Sequence, residues 1–182
     1  MSHHSFSDFG AHDRTVSVGE DRMRYTIRQK PLSWTNPLVF LNEAGELTYT
    51  ASGASFTLRS SNVTIRDAAN VPVITVHTLF WRIRPGFEVY RGDDRLALIE
   101  MEQGVRTWFR AEVSDGGSFA IRPNTWWTQF DFVGHEGRYA VLTAPLFKHA
   151  FSSSNELTIF DERQEIIVIA ASIVVLKKAY ET

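Results

Sequence analysis

From Met23 onward, apolar and polar residues alternate over short runs, and each run stops at a cluster of turn-forming residues, which is the pattern of half-buried β-strands. Met23 to Gln29 is the first run, closed by Pro31. Leu38–Asn42, Glu46–Ala51, Ser55–Arg59, Val63–Arg66, Val71–His77, Phe80–Arg84, Phe87–Arg91, Leu96–Glu102 and Thr107–Val113 follow. Between them lie Asn42-Glu43-Ala44-Gly45, Asp67-Ala68-Ala69-Asn70 and Arg91-Gly92-Asp93-Asp94. Asn, Asp and Gly suit such turns because they tolerate positive φ or bond their own backbone. Pro85-Gly86 has the order of a type II turn. Past the turn at Asp115-Gly116-Gly117, the pattern predicts a strand over Trp126–Val133, with Trp126, Thr128, Phe130 and Phe132 on one face. Arg138–Thr143 and Glu156–Phe160 read as two more. Roughly a dozen strands are enough for a closed barrel or a sandwich.

Three windows of 25 residues, 37–61, 62–86 and 87–111, align without gaps. Phe40, Ile65 and Tyr90 share one position before the turns, and Tyr49, Ile74 and Ile99 share one after them. The windows agree in pattern and hardly in identity, which is expected of a structural repeat and also of any meander with short turns.

The run Ile166 to Leu176 breaks the alternation. It is rich in β-branched residues, which suits a strand, but it is too long for a usual one. Asp161 and Gln164 have the spacing of a capping box, and Glu162 and Glu165 stand where acids favour a helix start. Lys177 and Lys178 stand where cations favour its end. A helix apolar on every side must be buried all round. Eleven helical residues rise about 16 Å, roughly half of a bilayer's hydrocarbon core, so a transmembrane span is not expected.

The chain has 182 residues, which fits one domain: residues 1–22, polar and without periodicity, are expected to form a flexible tail, and 23–182 the domain. The segment 1–13 lacks a basic start followed by an apolar run, so no secretory signal is expected, and the sequence has no cysteine. Disulfides, thiolate metal sites and cysteine nucleophiles are therefore excluded. The formal charge of −2 speaks against a general nucleic-acid binder and leaves a local basic patch open.

The strand repeats followed by an all-round apolar helix resemble the LURP-one-related family, whose tubby C-terminal-like fold is shared with phospholipid scramblases. The likeness is carried by Tyr25-Thr26-Ile27-Arg28-Gln29-Lys30, Phe56-Thr57-Leu58-Arg59, Trp81-Arg82-Ile83-Arg84-Pro85, Phe87-Glu88-Val89-Tyr90 and Asp161-Glu162-Arg163-Gln164 with the run after it. It implies a mainly β (α+β) fold, a barrel of about twelve strands enclosing a hydrophobic C-terminal helix with Ile166, Ile169, Ile173 and Leu176 in its core. It implies no reaction. Tubby domains bind phosphoinositides through a basic surface. The chain lacks the cysteine-rich segment and the Asp-rich loop of scramblases, so scramblase activity is not expected.

Arg59, Arg66, Arg82, Arg84 and Arg91 alternate with apolar neighbours and should face outward; grouped by adjacent strands they could hold a phosphate headgroup. A solvated face diluted by Asp67, Glu88 and Asp93 is the simpler reading. His77, His135 and His149 lack metal-ligand spacing, Arg138, Lys148 and His149 form a second basic set, and no catalytic motif stands out. The expectation is a non-enzymatic module without cofactor, cytoplasmic and peripheral to a membrane. Its partner would be a phosphoinositide or anionic surface. The alternative is a protein-interaction domain using Trp126-Trp127.

Overall fold

A computed structural model describes residues 22–29, 37–53, 62–79, 86–102, 108–144 and 154–180. Its strands are β1 (Met23–Gln29), β2 (Leu38–Leu41), β3 (Leu47–Gly53), β4 (Val63–Asp67), β5 (Pro72–Leu79) and β6 (Gly86–Arg91). They continue as β7 (Asp94–Glu102), β8 (Trp108–Val113), β9 (Ser118–Pro123), β10 (Gln129–Gly134), β11 (Gly137–Thr143) and β12 (Asn155–Ile159). A 3-10 turn, Glu162–Gln164, leads into the helix α1 (Glu165–Tyr180). Each strand pairs with its neighbours in sequence, all antiparallel, and β12 closes on β1. The readings Ser55–Arg59 and Phe80–Arg84 lie outside the described residues.

Alternation decides which face is inside. Ile27, Phe40, Ile65, Val89, Ile99, Ile121, Phe132 and Leu157 are fully buried on the inner face, with small residues such as Ala51, Ala111 and Ala140 among them. The helix fills the interior: residues 167 to 177 are buried without interruption. Twelve strands about 4.8 Å apart and tilted about 40° make a ring of radius roughly 12 Å. That is close to the ~10 Å spacing of packed layers, so a helix on the axis meets the wall on every side. This is why no polar face exists. Ile169, Ile173 and Leu176 lie at the centre as expected, whereas Ile166 is only partly buried, at the mouth where the helix enters. Ser172, the one hydroxyl in the buried stretch, donates to the Val168 carbonyl at 2.8 Å.

The 25-residue period is real in geometry. The hairpins β2–β3 and β4–β5 slip register at equivalent places, Phe40/Leu41 and Ile65/Arg66. In their turns Asn42 and Asp67 each accept, through the side chain, the amide four residues on, at 2.9 Å. Gly45 and Asn70, nine residues into their windows, both take positive φ, 78° and 63°. Glycine and asparagine are the residues that do so at least cost. The third hairpin, β6–β7, also slips, at Val89/Tyr90, but turns through Gly92 after fewer residues.

Two expectations are corrected. Ser118–Pro123 is a strand that the reading passed over. Residues 126 to 128 are not strand: Asn124 folds them into a turn, and β10 starts at Gln129.

Candidate functional site

The closed barrel has two mouths. At the entry mouth the strands join through the short turns 42–46, 68–71, 92–93, 114–117 and 135–136, and β12 passes into the helix. At the far mouth the helix ends and the turn 124–128 joins β9 to β10.

At the entry mouth, Glu165 in the first turn of α1 is gripped by two phenols from the wall. Tyr25 on β1 donates to Oε1 at 2.5 Å, and Tyr49 on β3 donates to the same oxygen at 3.1 Å. Burial, followed by the hydrogen bond to Glu165, drives the Tyr25 phenol far above its ordinary pKa. Burial and the negative field of Glu165 push Tyr49 up to about 12. Both phenols are therefore neutral donors. Asp161 caps the 3-10 turn by accepting from the Arg163 amide, and the Arg163 guanidinium beside it holds its carboxyl below the usual range. Arg163 also reaches Glu136 at 3.1 Å. Arg22 and Arg138 both lie over the Phe160 ring, at 5.4 and 5.9 Å. Next to them Arg22, Met23, Arg24, Tyr25, Asn42, Glu43 and Ala44 line an open groove of about 320 Å³.

The outer wall is neutralised by its own ion pairs. Arg95 pairs with Glu88 across β6 and β7 at 3.3 Å, Arg110 with Glu102 across β7 and β8 at 2.6 Å, and Arg138 with Asp131 across β10 and β11. Such exposed pairs stabilise little but leave no single-sign field. Of the five expected arginines, Arg66 and Arg91 are described. Both stand at the entry mouth, on either side of β5, with Asp67 next to one and Asp93 and Asp94 near the other. Arg66 donates to the Asn70 carbonyl at 3.1 Å. Arg59, Arg82 and Arg84 lie outside the described residues, as do Lys148 and His149. His77 stacks near Tyr90, with ring centroids 5.0 Å apart, and no group of metal-ligating side chains occurs among the described residues.

The far mouth carries the feature that alternation misplaced. Trp126 is 70% exposed and Trp127 42%, two neighbouring indoles at the tip of the β9–β10 turn. The turn is braced: the Asn124 side chain accepts from the amides of Thr128 and Gln129 and donates to the Thr128 hydroxyl. The Thr128 carbonyl accepts from Ala144 at 2.8 Å. Trp127 has φ 58°, a left-handed conformation that a bulky residue adopts only when its surroundings impose it.

No curated protein sequence matches the chain. A solved structure of an Arabidopsis thaliana protein superposes with a TM-score of 0.57 over 88% of this chain and 92% of that one, at 12% identity, a likeness of fold. The sequence profile of the family described as LURP-one-related matches residues 23–176, which span the barrel from its first strand to the buried end of its helix. The chain belongs to the LURP-one-related family.

Proposed function

We propose that the domain is a non-enzymatic binding module that docks on an anionic membrane surface, with phospholipid headgroups as its ligands and the far mouth as its contact face. The observation that carries this reading is the split of charge between the mouths. The entry-mouth connections hold Glu43, Glu46, Asp93, Asp115, Glu136, Asp161 and Glu162 against one cation, Arg163. In sequence, the stretches 30–37, 54–62, 80–85, 103–107 and 144–154, which lie almost wholly outside the described residues and follow the strands that run toward the far mouth, hold Lys30, Arg59, Arg82, Arg84, Arg106 and Lys148 and no Asp or Glu. On this reading a net charge near zero conceals a split in the sequence, with acids in the entry-mouth turns and cations in the stretches between the opposite strand ends, that suits an anionic surface. The filled interior adds support from the other direction, since the helix occupies the space where a barrel would hold a small molecule.

Flotation with vesicles of phosphatidylcholine alone, or with phosphatidylserine or a phosphoinositide added, tests the reading. The protein should float only with the anionic vesicles, and added salt should release it as screening shortens the reach of the charges. Arg82→Glu with Arg84→Glu should abolish flotation. An absence of binding at low salt would sink the proposal.

A further inference from the structure

Building on that reading, we infer that the Trp126-Trp127 turn is a membrane anchor that inserts into the interfacial layer of an anionic bilayer. Four observations converge on it. The described residues expose four large apolar side chains, Leu47, Val71, Trp126 and Trp127. Leu47 and Val71 stand singly at the entry mouth, whereas the tryptophans are adjacent and share one tip at the far mouth. The tip has no charge of its own: Asn124-Thr125-Trp126-Trp127-Thr128 offers hydroxyls and an amide around two indoles. Indole suits the headgroup–acyl boundary, because an apolar body and one N–H donor meet both environments there.

Rigidity is the third observation. A turn free to collapse would fold its indoles back against the barrel. Asn124 fixes the backbone with three hydrogen bonds, and Trp127, held at positive φ, rests its ring edge-on to Phe130 at 6.1 Å, so that Trp126 remains the more exposed indole at 70%. The conformational strain is retained and the apolar surface remains in water, a combination that makes sense if the surface is used. Fourth, the tip stands at the far mouth, the end that the charge-based reading turns toward an anionic surface. Cations that meet headgroups and indoles that enter beneath them form the two-signal arrangement that reversible membrane binding requires. A convex, two-residue tip fits a deformable lipid layer better than a protein partner, which would need a wider surface to be specific.

The cysteine-free sequence makes a direct test simple. Thr125→Cys, labelled with a nitroxide, is compared with Ala44→Cys at the entry mouth, on vesicles of phosphatidylcholine and phosphatidylserine. The Thr125 label should become accessible to oxygen and protected from a water-soluble relaxant, while the Ala44 label stays in water. Trp126→Ala, a change at a largely exposed side chain, should weaken vesicle binding by about tenfold with an unchanged melting temperature. The double change with Trp127→Ala should weaken it further. If the vesicles bind and the Thr125 label remains in water, or if both tryptophan variants bind as the parent does, the anchor is refuted while the charge-based docking stands. If no variant or parent binds, both fall. Retained vesicle binding by the tryptophan variants alongside loss of a defined protein partner would reassign the tip to protein contact.

Discussion

Replacing Tyr25 by Phe removes one hydroxyl and no packing volume, so it isolates the hold of the wall on the helix. In the parent the Tyr25 hydroxyl gives a 2.5 Å hydrogen bond to the Glu165 carboxylate, 140 residues away in sequence, in a partly buried setting. A hydrogen bond to a charged group contributes about 1.5–3 kcal/mol. Tyr49 remains as a second donor to the same oxygen, so Glu165 is not orphaned and the lower half of that range applies, about 2 kcal/mol. For a domain of this size that corresponds to a fall in Tm of about 4–8 °C. Tyr49→Phe should cost less, since its bond is longer, and the double variant more than the sum, because a carboxylate would then sit at the mouth with neither phenol. Alkaline titration supplies an independent check. The phenols ionise near 10 when unfolded, and Tyr49 only at about 12 when folded, with Tyr25 higher still. Stability from these groups is fully present below pH 10 and is lost as pH rises toward 12 and beyond. For Tyr49 the two-unit gap is worth at most roughly 2.7 kcal/mol. Tyr25→Phe with Tyr49→Phe should flatten that alkaline loss. Chemical denaturation at neutral pH and at high pH measures both effects. A Tyr25→Phe variant within about 0.5 kcal/mol of the parent, with the alkaline slope unchanged, would refute the latch.

Ile173→Ala, at the centre of the helix where the wall cannot collapse inward, should cost about 2–5 kcal/mol in denaturant unfolding. A cost below about 1 kcal/mol would mean the interior is not packed on all sides. Asp161→Asn should cost about 0.5 kcal/mol near neutral pH, because asparagine keeps the cap and only the charge pairing to the exposed Arg163 is lost. Since the folded carboxyl is held below its ordinary pKa, that stability is present above the ordinary value and fades as pH falls, so parent and variant should converge in acid. Gly134→Ala should lower the melting temperature, because an added Cβ would lie well inside van der Waals contact of the outer end of the Tyr139 ring and force that ring off the glycine; equal melting temperatures would contradict this packing. Arg66→Gln and Arg91→Gln, at the entry mouth, should leave vesicle flotation unchanged; a loss in either would move the contact face to the opposite end.

Much of the wall was legible because strand alternation is a local property. Ile27, Phe40, Ile65 and Ile74 occupy the inner face that their spacing implies. The same rule misled at Trp126. Thr128, Phe130 and Phe132 continue its spacing, but Asn124 competes for the backbone through its side chain and turns the chain before the strand begins. Ser118–Pro123 carries the same local signal, with Phe119 and Ile121 buried on one face, in a short stretch between two turns.

The sequence by itself determined the kind of elements, a meander of short strands followed by one helix, and it determined that the run from Ile166 to Leu176 had to be enclosed, because an unbroken apolar surface of that length can neither face water nor cross a bilayer. Tertiary structure alone decided which end of the barrel each residue occupies. Tyr25, Tyr49 and Glu165 meet only because closure of β12 on β1 brings the start of the helix against the first strands. Arg66 and Arg91 lie among acids, and Trp126 and Trp127 stand out at the opposite mouth, for the same reason: in an antiparallel ring, successive turns alternate between two ends. Residues close in sequence are thereby sent to opposite ends, a separation set by strand pairing and barrel closure and not by the local pattern.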